Sequence, residues 1–76
     1  MIIIEDSEQT KIAYLRKDDI LTVYESEISG DMVVTIKFKE YVSTEFLRIK
    51  NERASRIRSG LDDGTWVRYL RDFYWD

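Results

Sequence analysis

Two alternating segments on either side of Ser29-Gly30-Asp31 constrain this chain more than any other feature in it. In Met32–Lys39, the residues Met32, Val34, Ile36 and Phe38 alternate with Val33, Thr35, Lys37 and Lys39, which is the two-residue period of a half-buried strand. Ile20–Ile28 runs into the same turn from the other side. Gly30 offers the positive φ that short hairpin loops require, so the two segments predict an antiparallel hairpin. A three-residue loop sets Ile28 opposite Met32 and Tyr24 opposite Ile36. The buried face is then Ile20, Tyr24 and Ile28 with Met32, Val34, Ile36 and Phe38. A two-residue loop at Gly30-Asp31 would instead carry Glu25 and Glu27 beside Ile36 and Val34. A one-residue slip exchanges the two faces of a strand, and an unpaired buried carboxylate is costly. The three-residue loop is therefore expected.

The segments before this hairpin also read as strands. Met1–Ile4 is a continuous apolar run, and Glu5–Gln9 after it is polar and turn-like. Lys11–Lys17 puts Ile12 and Tyr14 on one side and Ala13 and Leu15 on the other. Lys17-Asp18-Asp19 marks a reversal, since aspartate side chains bond nearby backbone N–H groups. Beyond the hairpin, Ser43 or Thr44 is placed to cap a helix over Thr44–Ser59, with Phe46, Ile49, Ala54, Ile57 and Leu61 on one face. Lys50 falls in the middle of that face, and the competing arrangement is a strand through Ile49 followed by a short helix begun by Asn51.

Thr65–Trp75 holds half of the chain's ten aromatic residues. Wound at roughly 100° per residue, it gathers Trp66, Val67, Tyr69, Leu70, Phe73 and Tyr74 on one face and leaves Arg68, Arg71, Asp72 and Trp75 on the other. Wound as a single strand, it puts Arg71 among Val67, Tyr69, Phe73 and Trp75, while Asp72 joins Trp66, Leu70 and Tyr74. The helix separates apolar from charged better and is expected, with Thr65 as its cap. Strands first and helices last, joined by connections too short for parallel crossovers, predict an α+β fold. The expected architecture is one domain over residues 1–76, a small antiparallel β-meander of about four strands covered by one or two C-terminal helices.

Function is bounded mainly by what the chain lacks. It has no cysteine and no histidine, which removes disulfides, thiolate chemistry, zinc fingers and histidine-based triads. No cofactor is expected. The adjacent acids Asp18-Asp19 and Asp62-Asp63 suit turns and caps better than a metal or hydrolytic site, because neighbouring strand residues point to opposite faces. No base is marked out to activate a serine or threonine, so a non-catalytic protein is expected. Met1–Ile4 is too short for a signal peptide, with acids directly behind it. No apolar run approaches the roughly 20 residues of a membrane span. A soluble, cytoplasmic protein without membrane contact follows.

Charge narrows the partners. The net charge is −3, with ten acids and five bases in residues 1–45 and seven bases and five acids in residues 46–76. Arg48, Lys50, Arg53, Arg56 and Arg58 form a basic run, but on a helix they point around the whole circumference, and an acidic balance opposes nucleic-acid binding. The acidic N-terminal part is raw material for mimicry of nucleic acid, weakened by its interspersed bases. On the helical winding, Trp75 shares the polar side with Arg68 and Arg71, and Trp and Arg are enriched in interface hot spots. The expected partner-binding residues are Arg68, Arg71 and Trp75, with Arg53 and Arg56 from the basic run. The leading expectation is a small protein that binds and modulates or inhibits another protein, in the manner of accessory, antitoxin, immunity or phage-encoded anti-host proteins. A nucleic-acid-binding module using Arg48–Arg58 and a homo-oligomeric structural domain, in the simplest case a homodimer, are the alternatives.

Overall fold

A computed structural model describes residues 1–76. Its strands are β1 (Ile2–Glu5), β2 (Ile12–Leu15), β3 (Ile20–Ile28), β4 (Asp31–Phe38) and β5 (Phe46–Lys50). They are followed by helix α1 (Ala54–Asp62) and by strands β6 (Val67–Leu70) and β7 (Phe73–Trp75). The fold is α+β, with seven strands in two sheets and one helix near the C-terminus. One sheet, of order β3-β4-β5-β7, is four-stranded and antiparallel throughout, with β3-β4-β5 a meander; of the four strands expected in it only β3 and β4 belong to it, while β1 and β2 lie in the other sheet. The other, of order β2-β1-β6, pairs β2 antiparallel and β6 parallel to β1. A single cluster of 14 buried apolar residues draws on both sheets and on α1.

The β3–β4 hairpin forms, but its loop has two residues. Ile28 pairs with Asp31, Glu25 with Val34 and Val23 with Ile36. Ser29 and Gly30 both have positive φ, at 52° and 84°, the requirement of a type I′ turn. Val23, not Tyr24, therefore faces the core, and Tyr24 and Met32 are exposed. The carboxylate that counted against such a register has partners. Glu25 Oε1 accepts the Ala54 N–H at 2.8 Å and the Arg53 Nε–H at 3.3 Å. Those donors come from the start of α1, about thirty residues away in sequence, and so were absent from any pairwise view of the hairpin. A bulge at Leu21 keeps Ile20 opposite Phe38.

The expected helix over Thr44–Ser59 is replaced by strand β5 and helix α1, the competing arrangement. As a strand, Phe46–Lys50 sends Leu47 and Ile49 inward, both fully buried opposite Ile36 and Val34. Lys50, the residue that broke the helical face, points outward instead, and its ammonium lies 5.9 Å from the centre of the Tyr74 ring. Asn51 takes a φ of 58°, and the helix starts after Arg53. No side chain of its N-cap residue bonds the first turn. Two carboxylates take over that role, Glu25 on the Ala54 N–H and Glu52 on the Arg53 N–H at 2.9 Å, where the positive end of the helix dipole favours them. Ala54, Ile57, Gly60 and Leu61 form the buried face of α1. A Cβ at Gly60 would come within 2.8 Å of Ile2 Cδ1, so glycine permits the close approach of α1 to β1.

The expected C-terminal helix over Thr65–Trp75 does not form; that segment is strands β6 and β7. β6 lies beside β1 with Val67 opposite Ile2 and Tyr69 opposite Ile4, and the chain then crosses to the other sheet, where Phe73 pairs with Ile49 and Trp75 with Leu47. Strand alternation thus runs through the whole segment with Arg71 on the inward parity. Arg71 sits at the crossing, where its guanidinium reaches the Asn51 carbonyl at 3.2 Å and the Glu52 carboxylate at 3.4 Å. Glu52 is 1% exposed. A buried acid from a distant part of the chain thus removes the objection to the strand. Replacing Arg71 by methionine is expected to destabilise the fold by about 3 kcal/mol, because it strips the buried carboxylate of a partner. Combining it with Glu52→Gln is expected to recover part of that loss, as measured by urea unfolding of the single and double variants.

Candidate functional site

The apolar run Met1–Ile4 places β1 in the centre of the three-stranded sheet, and the sheet has only one covered face. Ile2 and Ile4, with Ala13, Leu15, Val67 and Tyr69 beside them, face α1 and the other sheet. The opposite face carries Ile3 and Glu5 from β1, Ile12 and Tyr14 from β2, and Arg68 and Leu70 from β6. Trp66 stands directly before β6, on the same alternate parity as Arg68 and Leu70. Trp66 is 72% exposed, Tyr14 57%, Leu70 53% and Ile12 50%, around an Ile3 that is 6% exposed. Aromatic side chains present about 150–250 Å² each, so Trp66 and Tyr14 alone expose on the order of 300 Å². That is within the range of the largest apolar patch on a soluble monomer, about 300–600 Å², which is often functional. The only ion pair on this face is local, Arg68 Nη1 to Glu5 Oε1 at 2.9 Å.

The outer face of the four-stranded sheet differs, because its own side chains cover it. Val33 and Thr35 are buried there although no second layer lies above them. Arg48 spans the Thr35 hydroxyl at 3.1 Å and the Asp76 carboxylate at 2.8 Å, and Lys50 lies over Tyr74. A smaller apolar group, Leu21, Tyr41 and Val42, is exposed around the β4–β5 connection.

Of the residues expected to bind a partner, only Arg68 lies on the apolar face. Arg68, Arg71 and Trp75 do not share one side of a helix, since they lie on β6, at the crossing and on β7. Trp75 packs against Phe38 with ring centres 5.7 Å apart. Arg71, Arg56 and the backbone of Arg53 converge on Glu52, and the Arg53 side chain pairs with Glu25. Arg58 donates to the Val23 carbonyl. The basic run is thus distributed over separate contacts, each with a partner inside the fold. Trp66, Leu70, Ile12 and Tyr14 were the residues missed. Their signal is the strand winding of each segment, which already groups Ile12 with Tyr14 and Trp66 with Leu70. No group of three or more acidic side chains is placed to hold a metal ion. No helix is long and apolar enough to cross a membrane. No protein-family model matches the chain, and comparisons with curated proteins and with solved structures give no match.

The face is held in place by polar stitching at its margins. Asp6 accepts the Thr10 hydroxyl at 2.6 Å and the Thr10 and Lys11 N–H groups at 2.7 and 2.8 Å, which closes the β1–β2 loop. Asp72 accepts the Ser7 hydroxyl at 2.8 Å and ties that loop to the β6–β7 crossing. Lys11 Nζ donates to the Phe73 carbonyl at 2.7 Å. The Thr10 hydroxyl and then the Lys11 N–H hold the Asp6 carboxyl below its ordinary pKa. The Ser7 hydroxyl and N–H do the same for Asp72, and the Ala54 N–H followed by Arg53 for Glu25. In each case the unfolded chain takes up its proton first as pH falls, so the stabilisation is complete above the ordinary carboxylate range and is lost as pH drops through the lowered folded values. Resistance to urea is therefore expected to fall below about pH 4, and Thr10→Val is expected to make that acid limb shallower in a pH series of unfolding curves.

Proposed function

We propose that this protein acts without catalysis, by binding another protein through the open face of its three-stranded sheet and so modulating or blocking that partner. The observation that carries this reading is the shared exposure of Trp66, Tyr14, Leu70 and Ile12 around Arg68. Trp, Tyr and Arg are the residue types that dominate binding energy at protein interfaces, and here Tyr14 and Arg68 lie on paired strands with Trp66 directly before β6. Within the run Arg48–Arg58 the basic side chains engage separate partners inside the fold and form no single stripe along a phosphate backbone, which makes nucleic acid the weaker reading. Small size, an acidic balance and the absence of histidine and cysteine fit an accessory, immunity-type or phage-encoded inhibitor. A chain without cysteine also suits the reducing cytoplasm.

The test is capture of the partner on the tagged protein, identification by mass spectrometry, and titration of that partner against variants. Trp66→Ala and Tyr14→Ala are each expected to weaken binding by about 2 kcal/mol, on the order of 30-fold. Thermal unfolding is expected to change little, because both side chains are largely exposed. Tyr41→Ala, at the other apolar group, is expected to leave affinity unchanged. Undiminished binding by both face variants would overturn the proposal.

A further inference from the structure

β6 is an edge strand, and on its free side the Leu70 carbonyl accepts from Arg71 Nη1 at 2.7 Å, leaving the groups before it open. The Val67 N–H donates to the Met1 carbonyl at 3.0 Å and the Arg71 N–H to the Glu5 carbonyl at 2.8 Å. Backbone groups of successive strand residues point to opposite edges, so Val67, Tyr69 and Arg71 face β1, whereas Trp66, Arg68 and Leu70 face away from it. β1 is the only strand paired with β6. The N–H groups of Arg68 and Leu70 and the carbonyls of Trp66 and Arg68 therefore have no strand to pair with. The two edges of the four-stranded sheet are protected, as edges of soluble proteins usually are. β3 has a bulge at Leu21, α1 packed against it and Arg58 on its Val23 carbonyl. β7 has only three residues.

The open edge also has space beside it. An open groove of about 680 Å³ runs between the inward side chains of β6, Val67 and Tyr69, and the Ser55, Ser59 and Gly60 side of α1. Arg56, Asp62 and Asp63 also line it, with the Arg56 guanidinium 5.0 Å from the centre of the Tyr69 ring, so the groove is largely polar. No groove is lined by Ile12–Leu15, along the other edge strand of the same sheet. A strand laid on β6 at the usual spacing of about 4.8 Å would send one set of alternate side chains into the groove. The other set would lie on the outer face, continuing the rows that start from Trp66, Arg68 and Leu70. β1 already answers Arg68 with an acid, Glu5, and opposite charges across a sheet are the favourable pairing.

We infer that the partner supplies a β-strand: an extended, proline-free segment, apolar at alternate positions with an acidic side chain between them, adds to the Trp66–Leu70 edge by main-chain hydrogen bonds. This inference rests on the reading of the outer face as the protein-binding surface and names the form in which the partner arrives. Antiparallel pairing of two β6 strands centred on Arg68 would set like charges opposite each other, whereas a partner strand with an acid there sets opposite charges across the sheet.

The test uses the full chain, labelled with nitrogen-15, and the synthetic peptide acetyl-Thr-Val-Thr-Glu-Thr-Val-Thr-amide. Amide shift changes are expected to concentrate on Arg68 and Leu70 and on the groove side of α1. Two N-methylated forms of the peptide, each carrying methyl groups on one alternate set of amides, keep every side chain. Strand addition requires that one form lose at least about tenfold in affinity and the other bind as the parent does. Leu70→Pro removes an outward N–H while the β1–β6 ladder keeps its donors, and it is expected to weaken binding well beyond Leu70→Ala. No binding at millimolar peptide, equal binding by the two methylated forms, or shifts confined elsewhere would overturn the inference. So would a concentration-dependent dimer in sedimentation that Leu70→Pro abolishes, since that assigns the edge to a second copy. If Trp66→Ala and Tyr14→Ala weaken the captured partner while Leu70→Pro acts only as Leu70→Ala does, strand addition fails and the face reading stands. If the two face variants leave the captured partner unaffected, the face reading itself fails.

Discussion

The buried carboxylate of Glu52 is the point on which the two sheets and the helix meet. It accepts the Arg53 N–H at the start of α1, lies 3.7 Å from Arg56 and is 3.4 Å from Arg71, at the crossing from β6 to β7. A carboxylate that is 1% exposed survives folding only when it is paired and hydrogen-bonded. The pairing in turn dictates where Arg71 must lie. With Arg71 held there, the C-terminal segment leaves β1 after Leu70 and joins β5 at Phe73. One cluster therefore closes the core and sets the position of the edge strand. Such a cluster contributes specificity of arrangement more than net stability, since well-packed apolar residues often serve stability as well as a buried ion pair does.

That arrangement also explains why an apolar face is left open. The core lies between the two sheets, with α1 packed against β1 and β3. The three-stranded sheet therefore has a single neighbour layer, and its outer face meets solvent. No element of residues 1–76 lies over it. Solubility alone would favour polar residues there, yet the face carries Trp66, Tyr14, Leu70 and Ile12. The outer face of the four-stranded sheet shows the contrast, because long polar and aromatic side chains shield the backbone and the small residues beneath. The same contrast separates the edges, with β3 obstructed and β6 free.

Much of this was legible locally. The alternation of Met32–Lys39, a reversal within Ser29-Gly30-Asp31, the division of Ile12 and Tyr14 from Ala13 and Leu15, and the α+β class all follow from periods of a few residues. The failures turned on charged residues. Glu25 argued against the hairpin register that forms and Arg71 against the β6–β7 strands, because each falls on an apolar face, whereas Lys50 argued against the expected helix and so for the β5 strand that forms. Each is accommodated by groups far away in sequence: the α1 N-terminus for Glu25, Tyr74 for Lys50, and Glu52 with the Asn51 carbonyl for Arg71.

The sequence by itself determined which residues alternate, where the chain turns and which chemistries are closed to a protein without histidine or cysteine. These depend on side-chain type and on neighbours within one or two turns. Only the tertiary structure decided which alternate set of β2 and β6 faces inward, that Arg53, Arg56 and Arg71 gather on Glu52, and that Trp66 and Leu70 lie in one surface with Tyr14. A strand's pattern defines two faces but not which one is buried. That choice belongs to the layer packed against it, and here the layer comes from α1 and the other sheet, elements distant along the chain.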